Sequence, residues 1–478
     1  MKIALIDPGF GERSWHTFSQ SHWSSIIHHG LCGLSACLKD TGYHNVHLLD
    51  IRRMRGREEL ERQIKASNPD VVGITMRSCD INMDASIVRT LKLLKPEIMT
   101  VVGGVHVSID PEFVLKNPDY DYVIAGEGEI TFAKLVQALE HGEAFPRFSW
   151  GERPNLDTLP FIDRELYPYR TVIELPNYEG IFKPPMVTMI CSRGCMYNCS
   201  FCAPHSKIHF GNGVRFRSVS NVIEELKNLH YRYCFNSAKF YDYTFTQKPE
   251  WVEEFCEQYA SFGKSFWIQS RADLIVKHPE LIIKLKKVGL KLIGVGFESG
   301  SDRVLRFLRK GATGTINREA ARIVKSAGVM LSASFMLGVP TETNQEVEET
   351  VSLSREIKPH LTSVAFFTPI PGNDLYIYCK KNDLVLNDDP EMWVEFSPEI
   401  PKVRGKDYEF LRGAAARIMG DRFGGKFAGR IIRYLYVRTK YSYRLRNVLV
   451  RFYSSWVASR GYLWVQHLRQ FMHRLKIV

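Results

Sequence analysis

The 478-residue chain has no run of 18 uncharged apolar residues, which speaks against a membrane-spanning helix. Its N-terminus meets an acid at Asp7, too early for the apolar stretch of a secretory signal. It shows no internal repeat at a fixed period and no low-complexity tract. Acids are scarce at the C-terminal end, where residues 401–478 hold three Asp/Glu against 18 Lys/Arg. That stretch carries +15 of a net +12, so the first 400 residues sum to −3 and the basic character belongs to the tail. Of the ten cysteines, four fall within twelve residues and six are scattered, a poor disulfide framework but a good metal-site pattern for a reducing compartment. Hydrophobic residues make up 45% and charged residues 24%. That is an ordinary globular composition, which excludes a disordered chain, a collagen-like chain and a disulfide-dense miniprotein. The length suits two to four domains of about 100–200 residues each.

Residues 1–142 read as alternating strands and helices. Five apolar strands are expected, at Lys2–Asp7, Val46–Asp50, Val71–Thr75, Thr100–Gly103 and Tyr122–Ala125, with helical spacing between them. Such alternation predicts a parallel, doubly wound α/β sheet. Residues 143–185 carry seven prolines and no sustained periodicity, and read as a surface linker. Residues 186–370 alternate again, with six strand candidates from Met186–Ile190 to Ser363–Phe367. Six βα units fit a partial (β/α)6 barrel, and a second doubly wound sheet is the competing architecture. Residues 371–478 read as a mostly helical, basic C-terminal region.

The densest chemical signal is Cys195-Met-Tyr-Asn-Cys199-Ser-Phe-Cys202, spaced C-x3-C-x2-C just after the first barrel strand. Three thiolates on one loop can hold three irons of a 4Fe–4S cluster and leave the fourth iron open for a ligand. Zinc is the alternative, with His205 or His209 as nitrogen donors, although zinc usually takes four ligands in paired spacing. The motif resembles that of the radical S-adenosylmethionine (SAM) enzymes. The resemblance implies that Cys195, Cys199 and Cys202 hold the cluster and that its open iron chelates the methionine moiety of SAM. One electron then cleaves SAM to a 5′-deoxyadenosyl radical, which abstracts hydrogen from an unactivated carbon. Cys191, one x3 step earlier, reads as structural, since a triad of Cys191, Cys195 and Cys199 has a spacing the family does not use. Further along, Asp242-Tyr243 follows the second barrel strand, Arg271 the third, Glu298 the fourth and Gly338 the fifth. By resemblance Asp242, Arg271, Glu298 and Gly338 are candidate SAM contacts. Tyr243 departs from the pattern of relatives, many of which carry two acids there. In a barrel, polar groups at strand C-termini converge on the reacting face. Read without the resemblance, Asp242 is a helix cap and Arg271 with Glu298 a structural ion pair.

In the N-terminal region Gly103-Gly104 and Gly126-Glu127-Gly128-Glu129 stand at strand ends. Glycines there let a backbone approach a ligand closely, and a following helix start favours anions. Together with Pro69–Thr75, these turns resemble the cobalamin-binding domain of cobalamin-dependent radical SAM enzymes. The resemblance implies that the nucleotide tail of cobalamin lies near Gly103, Gly104, Gly126 and Gly128 with the corrin facing the barrel. The Asp-x-His-x-x-Gly motif of classical cobalamin methyltransferases is missing, so no cobalt-ligating histidine is named. Met76, Arg77 and Ser78 are candidates to lie under the corrin, and His106 reads as a turn residue.

From Arg430 on, basic residues interleave with Tyr, Phe and Trp. Core-facing aromatic stripes, an anionic membrane surface, an anionic substrate and RNA all fit that pattern, RNA least. The resulting expectation is a cytoplasmic enzyme, with peripheral contact at the inner membrane face as an option. Its cofactors are a 4Fe–4S cluster, SAM and cobalamin, and its reductant is a flavodoxin or ferredoxin. Its reaction is C-methylation of a small-molecule or lipid-linked substrate, or oxidative cyclisation or ring rearrangement. A non-catalytic cobalamin or iron–sulfur sensor is the reading from another class.

Overall fold

The computed structural model describes residues 1–8, 27–54, 56–174, 181–202, 205–390, 393 and 401–420. Six parallel strands build the first sheet: β1 Ile3–Asp7, β2 Val46–Asp50, β3 Val71–Thr75, β4 Met99–Gly103, β5 Tyr122–Ala125 and β6 Phe148–Trp150. Their order is β2-β1-β3-β4-β5-β6, so the winding direction reverses beside β1. Continuous apolar runs such as Ile3–Ile6 suit strands covered on both faces. Leu60, Ile64, Met83, Ile87 and Leu91 cover one face, from helices Arg57–Ser67 and Ile81–Leu94. Helices His29–Asp40 and Glu129–His141 cover the other with Leu31, Leu38, Phe132 and Leu135. The proline-rich segment is more than a linker. Its residues 148–150 pair with β5 and make the sixth strand, a segment too short for alternation to reveal.

The second sheet contains β7 Met186–Met189, then β10 Ser237–Phe240, β11 Ser265–Ser270, β12 Leu290–Glu298, β13 Met330–Leu337 and β14 Leu361–Phe366. A short antiparallel hairpin, β8 Ser192–Gly194 with β9 Val214–Phe216, stands between β7 and β10. All six strands of the sheet are parallel and lie in sequence order, with β7 and β14 at the edges. A doubly wound sheet needs a reversal of strand order, and this one has none, which favours the open partial barrel. Outward residues such as Ile293, Val295, Phe297, Leu331 and Phe335 form the core with the surrounding helices. Inward positions differ: Gly294, Gly296, Ser332, Ser334 and Ser363 are half-buried, and Gln269 on β11 is exposed. The lumen is therefore open to solvent. Ile181, Phe182, Trp267, Leu292 and Leu361 close its lower end.

Helix Tyr408–Gly420 packs on helix Asn344–Ile357 and on β14. The basic aromatic stretch from Arg430 on lies outside the described residues. Among the described residues no helix is long and apolar enough to cross a membrane.

Candidate active site between the two sheets

The C-terminal edges of both sheets face one cavity of ≈ 560 Å³. Gly103, Gly104, Gly126 and Gly128 line it from the first sheet, and Ile190, Tyr241 and Tyr243 from the barrel strands. All four glycines expected at a ligand thus share one wall. Their reasons for being glycine differ. Gly104 has φ +106°, and a Cβ there would stand 2.8 Å from the backbone of Met76. Its bareness joins the β3 and β4 turns, an arrangement secured by Met76 N donating to the Gly103 carbonyl at 2.7 Å. Gly126 has φ +74° and would meet nothing closer than 3.6 Å, so there the backbone conformation itself calls for glycine.

Arg77 lines the cavity, whereas Met76 is buried and Ser78 Oγ is turned to His106 Nδ1 at 3.0 Å. His28 also lines the cavity. Its Nδ1 accepts from Leu31 N at 3.2 Å, which puts the proton of the neutral ring on Nε2 and disfavours metal ligation. Burial holds the His28 imidazolium below its ordinary range, with neighbouring Asp7 opposing. Leu159, Pro160, Phe161 and Ile162 of the proline-rich segment form a further wall. The signal for it was a knot of apolar residues in a polar stretch, which a loop exposes only at a cost.

The cluster-motif loop adjoins this cavity. Ser200 N donates to the Leu308 carbonyl at 2.9 Å and Ser200 Oγ to the Phe307 carbonyl at 3.0 Å, which pins the loop to helix Asp302–Phe307. Cys202 reaches the surface, yet the protein packed around it and the neighbouring Cys199 and Cys195 push its thiol up to about 12. Cys199 and Cys195 are therefore near enough to disfavour the Cys202 thiolate, a cost that bound irons would offset. Among the described residues no three His, Cys, Asp or Glu converge to hold a single metal ion. A 4Fe–4S cluster makes no such demand, because each cysteine takes a different iron. His209, a zinc candidate, turns its Nδ1 to Ser108 Oγ at 2.7 Å instead. The donor set thus suits a cluster.

Arg271 Nη1 donates to Cys199 Sγ at 3.4 Å, and its guanidinium lies 3.4 Å from the Tyr197 ring centroid. Glu298 has φ +64° beyond a register shift at Gly296, and pairs with Lys310 Nζ at 2.9 Å. A bulge that re-aims a strand-end side chain in strained backbone is a common functional-site device. Lys310 and Glu298 act electrostatically on Cys202, so this pair borders the loop. Tyr243 sits beside Cys202 and Cys195, and burial together with those thiolates raises its phenol.

Asp242 stands apart. Its carboxylate is buried and accepts from Cys191 N at 3.1 Å and from Ser192 Oγ. Burial pushes it up to about 6. It braces the residues that lead from β7 into the loop. Cys191 is buried above it. Gly338, with φ +78°, donates its N–H to Glu342 Oε2 at 2.7 Å and packs near Leu411. Sequence reasoning missed the buried network of Arg164 and Arg217 around Glu225, all three lining the cavity. These residues are distant in sequence and form no motif.

A glycine-lined cavity facing a three-cysteine loop at a barrel mouth defines an enzyme that uses two cofactors across a domain interface. The model of the Radical SAM superfamily matches residues 189–354, and that of the B12 binding domain matches residues 25–136. The chain belongs to the radical SAM enzymes that carry a B12-binding domain, whose cofactors are a 4Fe–4S cluster, SAM and cobalamin. An uncharacterised methyltransferase of Pyrococcus horikoshii is 29% identical over 374 residues, 75% of this chain and 79% of that protein. An anaerobic magnesium-protoporphyrin IX monomethyl ester cyclase of Rubrivivax gelatinosus is 27% identical over 364 residues, 72% of this chain and 64% of that protein. The fold matches that of the cobalamin-dependent SAM radical enzyme OxsB, solved with aqua-cobalamin and SAM, at TM-score 0.68 and 15% identity. That match covers 94% of this chain and 72% of OxsB.

Proposed function

We propose that this enzyme methylates an unactivated carbon of a small-molecule or lipid-linked substrate. The observation that carries the reading is the single cavity walled by the glycine turns of one sheet and by the hairpin that leads into the cysteine loop of the other. When bound, the reduced cluster and SAM supply hydrogen-atom abstraction, and cobalamin supplies methyl transfer. The chain's own residues hold and enclose. Cys195, Cys199 and Cys202 are the proposed cluster ligands, with Arg271 hydrogen-bonded to one sulfur. Glu298, held by Lys310, is the proposed SAM contact at the loop's edge. Phe161, Ile162, Phe210, Tyr241 and Tyr243 keep water from the cavity. The open lumen, with Lys239, Gln269 and Ser332 on its inner face, offers room for substrate. A flavodoxin or ferredoxin is the proposed electron donor, and ten free cysteines fit a reducing, cytoplasmic compartment.

Oxidative cyclisation is the second reading, favoured by the named cyclase relative at 27% identity. An anaerobic mass-spectrometric assay separates them, using reconstituted protein, hydroxocobalamin, a strong reductant and SAM with a deuterated methyl group. Deuterated methylcobalamin together with 5′-deoxyadenosine is the expected result. Deoxyadenosine without labelled methylcobalamin would turn the assignment to the cyclase.

A further inference from the structure

All four residues of the Gly126-Glu127-Gly128-Glu129 turn line the cavity, and its two glutamates also reach across to the other domain. Glu127 is only 1% exposed, and its carboxylate pairs with both Arg193 and Arg215. These arginines are directly opposite each other across the β8–β9 hairpin. Like charges in that position repel and splay a hairpin unless an anion lies between them. Glu127, from the other domain, is that anion. Arg193 also reaches Glu129 at 2.6 Å, and it lies two residues before Cys195. A second strap runs alongside: Gly126 N donates to Ser108 Oγ at 2.8 Å, and Ser108 Oγ bonds His209 Nδ1 at 2.7 Å.

Resting on the reading of this cavity as a cobalamin site beside a cluster site, we propose that Glu127, Glu129, Arg193 and Arg215 couple the two. A ligand seated on the Gly126–Gly128 turn fixes Glu127. Glu127 fixes the hairpin, and the hairpin fixes the start of the cysteine loop. By linkage the effect runs equally in reverse, so a loaded cluster tightens cobalamin binding. Arg193 and Glu127 line the cavity and are positioning residues toward the cysteine loop, on which they act through the hairpin.

The test uses the full chain under anaerobic conditions, cluster-free and cluster-reconstituted, titrated with hydroxocobalamin. The wild type is expected to bind at least about fivefold more tightly with the cluster in place, within the usual range of site–site coupling. In Glu127→Gln and Arg193→Lys the ratio falls to within about twofold, because the charged fork that joins the domains is lost. Arg215→Lys, which leaves the Arg193 pairs standing, gives an intermediate ratio and serves if the other variants fail to fold. The electron paramagnetic resonance spectrum of the reduced cluster shifts on adding cobalamin in the wild type and not in Glu127→Gln. Equal affinity with and without cluster in the wild type, or an undiminished ratio in the variants, overturns the coupling. A wild type that binds no cobalamin in either form overturns the site assignment itself.

Discussion

Arg271 brings a positive charge and a hydrogen bond to a sulfur of the proposed cluster loop. It donates to Cys199 Sγ, lies against Tyr197, and is held in place by Asp273 at 2.9 Å and by the Lys310 carbonyl. A hydrogen bond and a positive charge at a cluster sulfur favour the reduced, more negative state. Arg271→Met should therefore lower the reduction midpoint, by about 60 mV if the interaction contributes a tenfold shift in a one-electron equilibrium. Spectroelectrochemical titration of the reconstituted protein checks this, and an unchanged midpoint would place Arg271 outside the cluster's reach. Position alone put Arg271 and Glu298 beside the cysteine loop, since they stand at the ends of consecutive strands. Asp242 is placed differently. The same strand-end placement suggested a ligand contact, but the backbone of Cys191 and the hydroxyl of Ser192 occupy its carboxylate.

At the scale of elements, a buried carboxyl braces the turn after β13 from within. Glu342 Oε2 accepts from Gly338 N at 2.7 Å and Val339 N at 3.2 Å, and burial pushes the group up to about 7. A carboxyl raised in the fold contributes stability that is complete below its unfolded value, 4.5, and lost as pH rises through about 7. Asp242, pushed up to about 6, acts in the same direction. These two groups therefore cost stability between pH 5 and pH 8, while the buried His29 and His106, lowered to about 3 and about 4, restore stability over the same range. Glu342→Gln, which keeps a neutral acceptor, should remove ~3 kcal/mol of that dependence. Thermal melting at the two pH values checks it, and equal slopes for variant and wild type would contradict it. The strands themselves were legible because parallel, doubly covered strands are continuous apolar runs. The short elements were not: β6 and the β8–β9 hairpin span three residues per strand, too few for any period to show.

Across the whole molecule, the two domains present their strand C-termini to one shared space. The cysteine spacing and the glycine turns pointed to two cofactor sites separately. Their meeting was implied by the family resemblance but not legible in the spacing itself, because it rests on contacts far apart in sequence: Arg193 with Glu127, Ser108 with His209, and Tyr167 with Asp7 at 3.0 Å. The apolar residues of the proline-rich segment also found their role only as a cavity wall. The most direct measurement is electron paramagnetic resonance of the anaerobic protein loaded with cob(II)alamin, recorded with the cluster oxidised and then reduced. If both cofactors share this cavity, reducing the cluster broadens the cob(II)alamin signal and speeds its relaxation, and Cys199→Ala abolishes the effect. A cob(II)alamin signal unchanged by reduction of a fully assembled cluster would contradict the shared site.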